Sequence, residues 1–456
     1  MSQPRLSVTI IGGGASGVLL AAHLLRDPDT DVRINLIERR GRVGQGIAYS
    51  AVQSDHILNV PASGMSAFAD EPDHFWHWLK AREPRYTESW VFAPRRLYGE
   101  YLAHVLREAA GQEPGRLNLI DEECIGIAET SSGVEISLAN GTSLVSHVAV
   151  LAVGHEEQPS RGRGIAVRVG SDRDTPLDPD VPVVILGSGL SMVDAWLRLS
   201  EANHRGPIHV VSRHGLLPRS HKKVDKLSLD SADVPFGTNL HYFARWFRLL
   251  VKDVMSKGGD WRSVVDALRP FNQRIWQSWS VESRRQFLEH LRPWWNIHRH
   301  RLPPETFALM QAAVERGQVR LIAGKFLNVE RSATGARATI RRRGVANTEA
   351  IEAARIYDCG GVTVDVTGST NPVIRAAIAD GLARPDLQHI GLDVTDDCRV
   401  IDQAGRPSAR LLAIGPLTRG KFWEIEAIPD IRVQAAQMAE RLLSADPASA
   451  VRHRHA

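Results

Sequence analysis

Leu6-Ser7-Val8-Thr9-Ile10-Ile11-Gly12-Gly13-Gly14-Ala15-Ser16-Gly17 is the stretch from which the fold follows. Its first half predicts a strand, residues 18–25 predict a helix, and a second strand over 32–37 ends at Glu38, 21 residues past Gly17. Gly12 permits the tight strand-to-helix turn, Gly14 lets backbone approach a pyrophosphate, and Gly17 allows close helix–strand packing. The phosphates would sit at the helix N-terminus over Ala15, Ser16 and Gly17, where free N–H groups and the helix dipole favour negative charge. Glu38, followed by Arg39, is placed to hydrogen-bond a ribose 2′-hydroxyl. Strand, turn, helix, second strand and terminal acid in this order predict a bound dinucleotide.

The pattern recurs at Val181-Pro182-Val183-Val184-Ile185-Leu186-Gly187-Ser188-Gly189-Leu190-Ser191-Met192, followed by a helix over 193–199 and a strand over 208–211. Met192 takes the place of the third glycine, and Ser212-Arg213-His214 stands where the acid would be. A guanidinium there suits a 2′-phosphate better than a free hydroxyl. Two such units predict FAD on the first and NADPH or NADH on the second. Gly187, Ser188, Gly189, Leu190, Ser191 and Arg213 are the expected NAD(P)H contacts, with NADPH favoured by Arg213.

The fold class that follows is α/β, with two Rossmann-like dinucleotide-binding domains. At 456 residues, 43% of them hydrophobic and 24% charged, the chain is long enough for two or three globular domains. No apolar run reaches the roughly 18 residues of a membrane span. The early first strand leaves no room for a signal peptide, so a cytoplasmic location is expected. The formal charge is only +4. Its densest cluster, Arg341-Arg342-Arg343, reads as a solvated hairpin edge, and no nucleic-acid motif accompanies it. Cys124, Cys359 and Cys398 lie far apart, which removes a sequence-local redox disulfide and a zinc site. Electrons from a reduced flavin must then go to dioxygen, a substrate or a partner protein.

The FAD domain is expected over 1–170 and again over 354–444, with the NAD(P)H domain over 181–353 between them. Residues 147–155 read as a buried strand closing on Gly154, and 161–182 as a linker. Residues 355–358 and 360–371 are expected to lead back to the FAD domain. A second buried strand, over 411–414, closes on Gly415, which fits a last flavin contact. An insertion over 226–304 holds six of the eleven tryptophans: Trp246, Trp261, Trp276, Trp279, Trp294 and Trp295. Its aromatics read as a helical core, which would also roof an active site on the sharper reading. The tail 445–456 reads as disordered.

Several segments carry a family resemblance. They are Gly44-Gln45-Gly46-Ile47-Ala48-Tyr49-Ser50, the run His56 to Phe68 containing Asn59-Val60-Pro61, Ser212-Arg213-His214-Gly215-Leu216-Leu217-Pro218, Trp295-Asn296-Ile297-His298-Arg299-His300-Arg301 and Ile414-Gly415-Pro416-Leu417-Thr418-Arg419-Gly420. Over nearly its full length the chain resembles a bacterial family of FAD/NAD(P)-binding flavoproteins. It is similar in kind to flavin-dependent urate hydroxylase and, more distantly, to amino-acid N-hydroxylases of siderophore synthesis. The resemblance implies that Asn59, Val60, Met65 and Ser66 line the flavin. Gly44 and Gly46 independently allow backbone to pass close to it. Asn59 also reads as a turn residue before Pro61.

His298 and His300 cannot share one helical face, so no helix-borne metal pair is expected, nor any other metal site. With Arg301 they read either as a solvated helix end before Pro303 or as a cationic rim for an anion, and they are the only catalytic candidates. The expected activity is an FAD- and NAD(P)H-dependent monooxygenase that hydroxylates a small polar, urate-like substrate with dioxygen through a flavin C4a-hydroperoxide. The alternatives are amine N-hydroxylation, an NAD(P)H oxidase or dehydrogenase, and a flavin electron-transfer or binding protein.

Overall fold

A computed structural model describes residues 6–28, 30–50, 56–111, 115–156, 161–162, 164–169, 171, 174–360 and 365–444. The chain forms two units, one of 1–51, 60–156 and 363–456, the other of 52–59 and 157–362. The expected tail 445–456 lies outside the described residues.

The first unit begins with β1 (Leu6–Ile11), β2 (Val32–Ile37) and β3 (Leu117–Ile120), which pair in parallel. A three-stranded antiparallel sheet follows from β4 (Cys124–Glu129), β5 (Val134–Leu138) and β6 (Ser143–Ser146). Then β7 (Val148–Leu151) returns beside β1. The helix Ala15–Leu25 is almost wholly buried because it packs on the helices Arg95–Gly111 and Ile428–Ser444. That is why its sequence is apolar all round, rather than along one stripe.

The second unit contains β8 (Val183–Leu186), β9 (Ile208–Ser212), β10 (Val319–Ser332), β11 (Gly335–Arg342), β12 (Thr348–Ala353) and β13 (Arg355–Asp358), in the order β12-β11-β10-β9-β8-β13. The 14-residue β10 serves two partners. Val319–Ala323 run parallel to β9, and from Gly324 onward, with an irregularity between Phe326 and Asn328, the strand pairs antiparallel with β11. Between β9 and β10 lies a helical insertion. Three of its helices start on side-chain caps, Asn239 to the Tyr242 N–H, Asp260 to the Arg262 N–H and Ser280 to the Ser283 N–H. Trp276 and Trp279 are buried with Phe243 and Phe287 around them, forming an aromatic core, whereas Trp294 is exposed.

Two boundaries differ from those expected. β13 pairs in parallel with β8, so residues 355–358 belong to the second sheet instead of leading back to the first unit. The segment read as a linker also belongs to the second unit. Asp174 accepts from Tyr357 Oη (2.7 Å) and pairs with Arg355 (3.0 Å) and Arg198 (2.9 Å). Its Gly, Pro and Asp content reflects turns pinned by these bonds.

Last come β14 (Arg399–Ile401) and β15 (Pro407–Ala413), and β15 joins β7 to complete the first sheet as β14-β15-β7-β1-β2-β3. Among the described residues no helix is long and apolar enough to cross a membrane.

Candidate functional site: two dinucleotide cradles

In the first unit three parallel strands end on one level, since Ile11 pairs with Leu151 and Leu151 with Ala413. Gly12 to Gly14, Gly154 and Gly415 therefore emerge together beyond the carboxyl ends of β1, β7 and β15, where open α/β sheets bind ligands. Gly12 has φ +113°, and a Cβ on it would lie 2.5 Å from the Ala152 carbonyl oxygen. Only glycine makes that turn. A Cβ on Gly17 would lie 1.9 Å from the Gly12 carbonyl oxygen, so the absent side chain lets the helix seat against the turn.

Gly14 differs from both. It caps the helix Ala15–Leu25 in extended conformation, and a Cβ on it would meet nothing closer than Gly46 Cα at 3.7 Å. The space beside Gly14 is a cradle that a side chain would fill. The Gly44 N–H donates to the Gly13 carbonyl (2.8 Å), which brings the Gly44–Gly46 turn against it. Glu38 accepts from the Gly13 N–H (2.9 Å) and the Arg40 N–H (3.0 Å), which fixes the carboxylate at the end of β2. Arg39 pairs with Glu123 at the surface. Gly415 packs against Ser16, with its N–H donated to Gln434 Oε1 (2.8 Å). The cradle fits a dinucleotide diphosphate, and FAD would be held by Gly12 to Gly17, Glu38, Gly44, Gly46 and Gly415.

Of the expected flavin-lining loop, Val60 is half-buried and Met65 and Ser66 are buried. The Ser66 hydroxyl is engaged inside its own loop by the Phe68 and Glu71 carbonyls. Asn59 groups with the second unit, where its carbonyl oxygen accepts from His221 Nε2 (2.9 Å).

One cluster escaped the sequence reading. His155, directly after Gly154, lies 4.0 Å from Glu426, and Glu426 pairs with Arg419 (3.1 Å). Burial pushes the His155 pKa down, and Arg419 adds to this against the opposing Glu426. The imidazole is thus neutral near pH 7 at the end of a central strand. Its place after a strand-closing glycine was the available signal. Its partners, far along the chain, gave none.

The second unit repeats the turn. Gly187 has φ +107°, and its N–H donates to Val211 (2.8 Å) as that of Gly12 does to Ile37 (2.9 Å). Gly189 caps the helix Leu190–Glu201 at φ −85°, ψ −164°, against −73°, −168° at Gly14, and a Cβ on it would meet nothing within 4 Å. Leu190 and the exposed Ser191 open that helix, and Met192 is buried in its first turn. Ser188 Oγ lies 3.0 Å from Ser212 Oγ, which ties the glycine turn to the end of β9, where Arg213 is exposed. This open cradle fits NAD(P)H.

The expected cationic rim takes a different form. Arg301 is buried and paired with Asp266, and it donates to the His298 carbonyl (2.8 Å). Its charge is spent within the insertion. His298 Nδ1 is bonded to the Trp294 carbonyl (2.8 Å), its ring edge-on to Trp261, and His300 ends the helix Arg292–Arg299.

His221 carries a pH prediction. Burial holds its pKa at about 4, with Arg301 contributing, despite the hydrogen bond to Asn59. A histidine depressed below its unfolded value of 6.5 favours the fold fully above pH 6.5, and this contribution is lost as pH falls toward 4. At pH 5 the loss is about 2 kcal/mol, from about 1.4 kcal/mol per pKa unit. His221→Gln, which keeps a donor for Asn59, should lose correspondingly less stability between pH 7.5 and 5.0 in urea titrations. An unchanged acid loss in the variant would refute the assignment.

Residues 9–156 match the model of a family described as FAD-NAD(P)-binding. No curated protein matches the chain. Among solved structures, the ornithine N-hydroxylase of Kutzneria sp. 744 is similar over 96% of this chain and 99% of its own, at 13% identity and a TM-score of 0.64. The cadaverine monooxygenase of Erwinia amylovora, solved bound to FAD, is similar over 98% and 96%, at 10% identity and 0.63. The bacillithiol disulfide reductase of Staphylococcus aureus is similar over 97% and 99%, at 13% identity and 0.56. These likenesses show the α/β fold.

Proposed function

We propose that this protein is an FAD-dependent, NAD(P)H-using monooxygenase that hydroxylates the nitrogen of a small amine. The observation that carries the reading is the pair of matched cradles on one chain without a usable thiol pair. The fold is shared with amine hydroxylases and with disulfide reductases, so cysteine chemistry separates the two. Cys124, Cys359 and Cys398 are all buried. Burial pushes the thiol of Cys124 up to about 12 and that of Cys398 to about 11, and raises Cys359 further. None is a ready nucleophile toward a disulfide.

When bound, the flavin supplies what side chains lack, accepting a hydride from NAD(P)H and delivering two electrons to dioxygen. The balance is amine, O2, NAD(P)H and a proton going to hydroxylamine, NAD(P)+ and water. The chain's residues bind and orient. Gly12 to Gly17 and Glu38 hold one dinucleotide, Gly187 to Ser191 and Arg213 the other. His155, kept neutral beside Glu426, is able to accept a proton released by the substrate ammonium.

The test measures NADPH oxidation, oxygen uptake and product together, with ornithine, lysine, cadaverine and urate as substrates. One hydroxylamine formed per NADPH and per O2 supports the reading. Coupled turnover with urate alone would replace it with the urate-like alternative, and hydrogen peroxide as the sole product with every substrate would replace it with an oxidase.

A further inference from the structure

At the end of β2 in the first unit stands the carboxylate of Glu38, and at the equivalent end of β9 in the second stands a patch of positive charge. Ser212 Oγ accepts from the Gly215 N–H (3.0 Å), closing a turn that presents Arg213 and His214. The turn lies against β10, where Ala323 pairs with Ser212 and a Cβ on Gly215 would come within 3.2 Å of the Ala323 nitrogen. The same Ala323 is gripped from elsewhere. Its carbonyl accepts from the Arg343 N–H (2.8 Å), at the turn joining β11 to β12.

That bond delivers a third cation. The Arg343 guanidinium donates to His214 Nδ1 (3.0 Å), so two arginines and a histidine converge beside the Ser188–Ser212 contact that leads to the glycine turn. The neighbouring Arg342 is neutralised by Glu349. Among the described residues neither Arg213 nor Arg343 is paired with a carboxylate. Like charges gathered without an acid repel one another, and an incoming dianion relieves that repulsion. Burial depresses the His214 pKa, and Arg343 and Arg213 lower it further.

We propose that Arg343, carried in by the β11–β12 hairpin, joins Arg213 and His214 in one site for the 2′-phosphate of NADPH. The hairpin contact sets the preference for NADPH over NADH. The proposal rests on the reading of the second unit as the NAD(P)H cradle. It takes Arg343 out of the triplet read as a solvated edge and makes it a specificity element. A guanidinium reaches a phosphate through charge-assisted, bidentate bonds that a 2′-hydroxyl cannot match.

The experiment uses FAD-loaded full-length protein and isothermal titration with adenosine 2′,5′-bisphosphate and 5′-AMP, alongside NADPH and NADH. In the wild type the bisphosphate should bind at least about 100-fold tighter than AMP. Arg343→Ala should cut that ratio about tenfold or more through the bisphosphate alone, leaving AMP affinity unchanged. Arg341→Ala, on the same hairpin, should leave the ratio intact. An unchanged ratio in Arg343→Ala, or an equal loss in Arg341→Ala, overturns the proposal while NADPH binding still upholds the cradle. Failure of the wild type to bind either nicotinamide dinucleotide overturns the cradle reading itself.

Discussion

Gly14→Leu should purify as a folded, colourless protein. The reason is the contrast among the three glycines of the first turn. A side chain at Gly12 needs φ near +113° and strikes Ala152, and one at Gly17 strikes the Gly12 carbonyl, so substitution at either damages the fold. At Gly14 the backbone is extended and a Cβ has room, 3.7 Å from Gly46 Cα. The leucine therefore costs the fold little, and fills the space through which a diphosphate reaches the N–H groups of the helix start. We expect FAD affinity to fall by about 100-fold or more, since several charge-assisted hydrogen bonds are lost together. The check is the flavin-to-protein absorbance ratio with a far-UV circular dichroism spectrum matching the wild type. Stoichiometric FAD in a folded Gly14→Leu protein would refute the cradle.

Asp174→Ala should strongly destabilise the second unit. Its carboxylate is 1% exposed, and Arg198, Arg355 and Tyr357 converge on it from the helix Leu190–Glu201 and from β13. Removing it leaves the Arg355 guanidinium, 10% exposed, without its counter-charge and the Tyr357 hydroxyl without its acceptor. Breaking such a buried pair costs about 3–5 kcal/mol, at the lower end here because Arg198 is 28% exposed and recovers water. Urea unfolding followed by tryptophan fluorescence measures it, because seven of the eleven tryptophans lie in the second unit. A change under about 0.5 kcal/mol, the range of a surface substitution, would mean that the network is incidental.

Much of this architecture is legible in the chain. Both glycine turns are local: the strand, the positive φ and the helix start lie within a dozen residues, and the ligand meets main-chain atoms. The repeat at Gly187 was readable for the same reason, even with Met192 in the third position. The insertion was readable as helical because Tyr242, Trp246, Leu249 and Leu250 recur at helical spacing, but which residues form its core was not, since Tyr242 and Leu249 are exposed whereas Trp276 and Trp279 are buried. Arg301 was readable as a cation among tryptophans but not as a spent one, since Asp266 announces nothing at a distance of 35 residues.

By itself, then, the sequence determined two dinucleotide cradles, the α/β class and the lack of a local dithiol, because these depend on backbone sterics and near-neighbour spacing. Only the tertiary structure decided that residues 355–358 join the second sheet, that Asp174 turns an apparent linker into a clamp, that His155 meets Glu426, and that Arg343 reaches His214 across 129 positions. In each case the partner is chosen by which strands pair and what they bring to a common edge. A charged side chain carries no trace in its own neighbourhood of the distant group that will share its field.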